Sequence, residues 1–482
     1  MGALTDVFTM REGTSMKPRS CRVRPPAAKP VARHALLCAL ALSGLGLPSL
    51  TAGARLGPRS AQFQGLGKLS DGAFETQAYG VSADGADGSV VVGWAAKYAP
   101  QAWEAFRWTA ADGMTGLGDL SGGQFRSGAN AVSADGFVIV GLGTTGSGPS
   151  DNVLEAFRWT ASGGMQGLGD LSGGNFESQA FGASADGAVV VGYGISANGQ
   201  EAFRWTAAGG MQGLGDLPGG DYLSVARAVS ADGSVVVGIG TWGAWWADQQ
   251  YAFRWTASGG MQPLGALPGA PSQTSRAYGV SADGSVVVGW SSSPNGTYNY
   301  RAEAFRWTAS DGMQGLGDLP GGYFDSWAWA ASADGAVIVG TSLTELYNEA
   351  SIWDAAHGMR RLADVLEAEY GLDLTGWTLE YATAISPDGQ AVVGWGINPG
   401  GWREAWLAVV PPILRGDVDC DGGVGFGDIN PFVLLLSDPE LWQQTYPECP
   451  IRNGDINADG VVDFADINPF VDCVVNGGCT AP

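Results

Sequence analysis

Between residues 62 and 410 apolar and polar positions follow one plan, repeated with a spacing of 46 to 54 residues. Each period opens with a short run of the type Ala-Phe-Gly-Ala-Ser, broken by Ala-Asp-Gly. Asp can bond its own backbone and Gly accepts positive φ, so this tripeptide predicts a tight hairpin turn. A β-branched run such as Val235 to Val237 follows, closed by Gly238. After a loop of variable length comes Glu-Ala-Phe-Arg-Trp-Thr, where Phe and Trp alternate with Ala, Arg and Thr, as expected of a strand packed mainly on one face. A glycine turn then leads into Met-Gln-Gly-Leu-Gly-Asp-Leu. Each period thus predicts four strands, here named a, b, c and d.

The turn aspartate recurs at Asp84, Asp135, Asp186, Asp232, Asp283, Asp334 and Asp388, which counts seven copies. The region opens on a lone d strand (Phe63 to Leu69) and ends on a lone c strand (Glu404 to Val410). Pairing the two would complete the seventh unit and remove two exposed sheet edges. The expected fold is therefore all-β, a seven-bladed β-propeller over 55–410 closed by its N- and C-terminal strands. An open β-solenoid is the alternative, although a coil of that kind seldom needs two hairpins per period. The repeats resemble the HAF repeats of bacterial extracellular proteins over about 62–410, with Glu-Ala-Phe in place of the namesake His-Ala-Phe. That resemblance implies export and assigns no activity to the repeat.

Residues present in every copy answer a need that every copy has. Glu104, Glu155, Glu201, Glu303 and Glu404 read as structural, as do Arg107, Arg158, Arg204, Arg254 and Arg306. The arginines are expected to pair with turn aspartates and fasten one hairpin to the next. Binding is sought where copies differ. The b–c and d–a loops share one face of a propeller, and they carry Trp242, Trp245, Trp246, Trp327 and Trp329 as candidate ligand-face residues. Such aromatics suit stacking on a glycan or gripping a protein, and equally suit packing between blades. For catalysis there is no serine nucleophile elbow and no Cys–His set. Asp221, Asp325 and Glu380 are carboxylates near the variable face, with nothing to single out a pair.

Pro411-Pro412 marks a boundary, and 411–482 carries different chemistry. Asp417, Asp419, Asp421, Gly422 and Asp428 occupy positions 1, 3, 5, 6 and 12 of a calcium loop, and Asp455, Asn457, Asp459, Gly460 and Asp466 repeat the pattern. Calcium takes several hard oxygens; alternate residues of a tight loop can aim theirs inward, and the carbonyls of Gly423 and Val461 at position 7 add another. Position 9 is Gly425 in the first loop and Asp463 in the second. Each loop is followed by Ile-Asn-Pro-Phe-Val, a duplicated apolar helix, so two Ca2+ ions and a small α-helical, EF-hand-type domain are expected. The pair resembles a type I dockerin over about 416–471. That resemblance implies a cohesin-like partner, contacted through loop positions 10 and 11: Phe426 and Gly427, then Phe464 and Ala465. Many dockerins carry small hydroxyl residues at those positions.

Composition narrows the setting. Arg19, Arg22, Arg24, Lys29 and Arg33 precede an apolar stretch from Ala35 to Leu50 and small residues at 52–54, the pattern of a secretory signal over 1–54. The net charge is −23, and removal of the leader leaves 18 basic and 46 acidic residues, or −28. Such a chain repels nucleic-acid backbones and anionic lipid, and no apolar stretch is long enough to insert in a membrane. Cys420, Cys449, Cys473 and Cys479 remain in the exported part; proximity favours Cys420–Cys449 and Cys473–Cys479 among three pairings. The whole reads as a secreted or cell-surface protein: a binding or display propeller tethered by its tail, with a polysaccharide-degrading enzyme or a structural surface component as alternatives.

Overall fold

The computed structural model describes residues 61–482 apart from 71–74, 84–88, 98–101, 147–152, 220–221, 243–249, 296–301, 323, 346, 448, 458–460, 477 and 480–482. The leader, Asp84, Asp221, Trp245, Trp246, Asp459 and Gly460 lie outside the described residues. The rest of 1–410 is a β-propeller, and 411–482 forms a small helical region.

The four predicted strands per period are present. In one sheet they are Gly173–Ala183 (a), Val189–Ser196 (b), Gly199–Thr206 (c) and Gly210–Gly213 (d), antiparallel in that order. Five sheets have four strands. A sheet of eight strands consists of two such sets joined by a single bridge, Trp103 to Arg126. Gln62–Gly65 pairs with Arg403–Val409, so the first and last strands of the region share a sheet.

The turns are built as their chemistry demands. Ser184 Oγ donates to Asp186 Oδ1 at 2.7 Å, the amide of Ala188 donates to the same oxygen, and Gly187 takes φ 63°. Turn is tied to turn by backbone bonds, Ala134 N to Ala185 O, Ala185 N to Ala231 O, and Ala231 N to Ala282 O. Between sheets, Ser178 Oγ accepts from Ala156 N at 3.0 Å and donates to Gly169 O at 2.6 Å. Thr76 Oγ1 does the same for Ala405 N and Gly67 O, so the junction of last sheet with first copies the internal junctions. Fully buried Phe106, Phe157, Phe203, Phe253 and Phe305 fill the layers between sheets.

Every a strand carries a β-bulge. The register slips at Tyr79, Asn130, Phe181, Arg227, Tyr278, Trp329 and Thr383, each lying between two paired neighbours. Opposite each bulge is the glycine that ends the b-strand valine run. A Cβ on Gly141 would sit 1.9 Å from Gly128 O, and one on Gly238 would sit 2.0 Å from Val225 O. The recurring glycine is there because the bulged strand presses its carbonyl into the space a side chain would need.

Two helices were not expected. Leu362–Tyr370 replaces the Leu-Gly-Asp-Leu segment after the degenerate copy and buries Leu362, Val365 and Leu366. Pro439–Thr445 lies between the tail loops, capped by Asp438 accepting from Leu441 N. No described helix is long and apolar enough to cross a membrane.

Candidate functional site

The tail has its own core. Helices Ile429–Ser437 and Ile467–Asn476 are the duplicated segments, and their Phe432 and Phe470 stack at 4.2 Å between centroids. Trp442 closes this core and donates to Val418 O. Cysteines pair as Cys420–Cys449 and Cys473–Cys479.

In the first loop the carboxylates of Asp417, Asp419 and Asp421 each place an oxygen within 4.8 Å of the others. Gly422 takes φ 93°, the sharp turn that position 6 requires, and its amide donates to Asp417 Oδ2. Asp417 Oδ1 is buried without a hydrogen-bond partner among the described residues. Burial, then the charges of Asp428, Asp419 and Asp421, raises the Asp417 carboxyl to about 6. A hard divalent cation fits that donor set, since one buried carboxylate oxygen lacks a proton donor and neighbouring carboxylates repel one another without a counter-charge. Asp428 adjoins the trio, its carboxylate acting on both Asp417 and Asp419. Its Oδ1 accepts from Val418 N and Asp419 N and its Oδ2 from Gly425 N, so it braces the loop. Asp466 does likewise with Ile456 N, Asn457 N and Asp463 N. Asp455 is buried beside Arg452, at 3.7 Å, and Asp463 Oδ1 accepts from Ala465 N. Gly423 and Val461 are exposed at position 7.

Loop positions 10 and 11 face water. Phe426 is 79% exposed and Phe464 76%, with Gly427 and Ala465 exposed beside them. The exposure continues along each helix, through Ile429 and Val433 in one half and Ile467 and Val471 in the other.

In the propeller the recurring polar residues are structural, with one correction. Each glutamate accepts from a backbone amide at the end of its d strand, as Glu155 does from Gly169 N and Glu404 from Gly67 N. Four of the arginines hold the next hairpin, yet they meet the turn glycine: Arg158 Nε donates to Gly187 O, Arg204 Nε to Gly233 O, Arg254 Nε to Gly284 O and Arg306 Nε to Gly335 O. Arg107 lies 3.6 Å from Asp112 of its own c–d turn. The aspartate is already engaged by its own serine and turn amide, so the free acceptor at the turn is the carbonyl. The d-strand aspartates were missed as ties. Asp170 accepts from Glu177 N and Ile195 N of the following sheet, and their recurrence in Gly-Asp-Leu was the available signal. His357 is exposed against Asp354, while burial raises Glu380 above its usual range despite Arg403.

The aromatic candidates separate. Trp242 is 40% exposed and stands near Tyr251. Trp327 and Trp329 instead join Tyr278 and Trp290 in one cluster, with Trp327–Trp329 at 5.3 Å and Tyr278–Trp329 at 4.7 Å. The bulge residues converge on a central cavity of about 610 Å³, which Trp395 and Tyr381, stacked at 4.1 Å, also line. Arg227 is its one ionised lining residue among those described. Its guanidinium lies 4.3 Å from the Phe181 ring centroid and 5.8 Å from that of Tyr278, and burial lowers its pKa.

No family model matches this chain, and no curated protein sequence does. Among solved structures it is similar to an oligogalacturonate lyase from Vibrio parahaemolyticus, at 11% identity over 73% of this chain and 97% of that one, with a TM-score of 0.45. It is also similar to the β-propeller domain of the Trilobed protease from Pyrococcus furiosus (11% identity, 69% and 93% covered, TM-score 0.41) and to TolB from Acinetobacter baumannii (13% identity, 67% and 77% covered, TM-score 0.37).

Proposed function

We propose that this chain is an exported, non-catalytic binding protein: a closed seven-bladed propeller displayed through a calcium-ordered tail that docks like a dockerin. Phe426 and Phe464 carry the reading. Each half of the tail has two phenylalanines, one stacked in the core and one left almost wholly in water at the junction of loop and helix. A small acidic domain gains nothing by duplicating an exposed apolar stripe unless a partner covers it. The cohesin-like module is the partner whose docking this placement suits.

Asp417, Asp419, Asp421, the Gly423 carbonyl and Asp428 would hold one Ca2+ ion, and Asp455, Asn457, Asp459, the Val461 carbonyl, Asp463 and Asp466 a second. Bound calcium supplies the positive charge that lets these oxygens share one loop. Asp428 and Asp466, at position 12, would also keep each loop closed on its own backbone amides. Export accords with the leader pattern at 1–54 and with two disulfides in the tail. The propeller would then present a glycan- or protein-binding surface.

Calorimetric titration of residues 55–482 with CaCl2 is expected to show uptake of two ions, lost in Asp417→Asn with Asp455→Asn. Chelation should open 416–471 to protease while the propeller stays resistant. Phe426→Ser with Phe464→Ser should leave calcium uptake intact and abolish retention on an immobilised type I cohesin. Absence of stoichiometric calcium uptake would overturn the reading.

A further inference from the structure

The central cavity carries an inference independent of the tail. A bulge turns one residue of each a strand out of the alternation, which re-aims its side chain. The flanking residues are nearly constant between copies, whereas the bulge residue is different in almost every one. Tyr79, Phe181, Tyr278 and Trp329 line the cavity with rings, and Arg227 supplies its single charge. Two donors in this wall are unmatched: Arg227 Nε and Trp329 Nε1 are both buried without a hydrogen-bond partner. Buried donors ordinarily find acceptors. Arg227 and Trp329 lie on the a strands of alternate sheets, with Tyr278 on the a strand between them, its ring 4.7 Å from Trp329 and 5.8 Å from the guanidinium.

We infer that this cavity binds a small ring-bearing monocarboxylate, its carboxylate held by the Arg227 guanidinium and its ring against Tyr278 and Trp329. A guanidinium fork matches the two oxygens of a carboxylate. One cation in an aromatic cavity balances one negative charge and leaves a dianion half uncompensated. The volume of about 610 Å³ suits a ligand of one or two rings. Aromatic faces stack on the apolar face of a sugar or on a second aromatic ring, so the shared chemistry has two sources, an acidic sugar or an aromatic acid.

The test is tryptophan fluorescence titration of residues 55–482 with D-glucuronate and with 4-hydroxybenzoate, each beside its neutral counterpart, glucose or phenol, in calcium and again in chelator. Saturable quenching by either acid, with the neutral counterpart at least tenfold weaker, is expected, and which acid binds identifies the source. Arg227→Met should remove the preference for the acid, Arg227→Lys should weaken it, and Trp329→Ala should weaken acid and neutral counterpart alike by removing the ring. Matching circular dichroism of the variants guards against misfolding. Persistence of binding in chelator separates this site from the calcium-ordered tail. No saturable binding of either acid, or an Arg227→Met protein that binds like the parent, refutes the assignment.

Discussion

Gly141 faces the carbonyl of Gly128, and the two glycines should respond oppositely to the same substitution. A Cβ on Gly141 would lie 1.9 Å from Gly128 O and 3.0 Å from Ala129 Cα, where contacts under 3.0 Å do not occur. The carbonyl would have to retreat by more than an ångström. It cannot do so alone, because Gly128 pairs with Leu142 and Ala129 with Gly141 immediately before the bulge, and Ala131 with Val140 just after it. Forced overpacking of this kind costs roughly 1–3 kcal/mol, and a backbone clamped by its ladder places Gly141→Ala near the upper end. A Cβ on Gly128 meets only Trp94 Cβ, at an ordinary 3.9 Å. Gly128→Ala should therefore be neutral or stabilising by roughly 0.4–1 kcal/mol through the unfolded chain. With an unfolding entropy of roughly 2.1 cal/mol/K per residue over about 350 residues, each kcal/mol shifts Tm by a little over 1 °C. Calorimetry should show Gly141→Ala melting about 4 °C lower and Gly128→Ala at or slightly above the parent. Equal Tm values for the pair would refute the idea that the bulge dictates the glycine.

Ser178→Ala removes a hydroxyl that serves Ala156 N and Gly169 O in a buried junction; the stranded amide should cost about 1–3 kcal/mol, read as a lower denaturation midpoint with unchanged m-value. Replacing Cys420 and Cys449 by Ser frees a loop spanning 29 positions; chain entropy puts the loss at about 3–4 kcal/mol, confined to the tail and visible as a separate low-temperature transition. Acid behaviour follows from the turns. Ser230 and the amide of Ser234 hold Asp232 at about 2, and Ser281 with Ser285 does the same for Asp283. Their folded pKa values lie below the unfolded ones, so what they contribute is complete above the usual carboxylate range and is lost only as pH falls toward 2. Asp119, Asp170, Asp216 and Asp318 are raised by burial, so their protonation on acidification favours the fold. The β-sheet circular dichroism signal of the propeller should persist at pH 4 and fail only near pH 2; loss of signal at pH 4 to 5 would contradict both assignments.

Much of this architecture could be read from the chain because the repeat supplies its own controls. The Asp-Gly turns, the valine runs and the orphan strands at either end located the sheets and their closure, since each is a local chemical requirement. Spacing of Asp417, Asp419, Asp421 and Gly422 likewise announced the loop geometry. The bulge escaped notice because it is a register slip between two strands, and nothing in Ala-Tyr-Gly-Val distinguishes a bulged from a regular run. Only the glycine opposite carries its imprint, and a glycine in a strand has several explanations. Trp329 was expected among the variable b–c and d–a loops; the slip sets it instead on an a strand that lines the central cavity. The arginine partner was misassigned because a carboxylate outranks a carbonyl as an expected acceptor, until its own serine has claimed it. Helix Leu362–Tyr370 was legible in the spacing of Leu362, Val365 and Leu366 and was hidden by the expectation of another d strand.

The pairing of Gln62–Gly65 with Arg403–Val409 bears on how the protein must be made. The Gln62–Gly65 strand waits for a partner that begins at Arg403, so the ring has no finished form until the roughly 340 residues between them have been translated. A chain stopped short of residue 403 presents two unmatched borders of backbone donors and acceptors, and two such chains can satisfy each other. Truncation within the final repeat should therefore yield exchanged dimers or aggregates, whereas truncation after residue 410 should leave a self-contained monomeric ring.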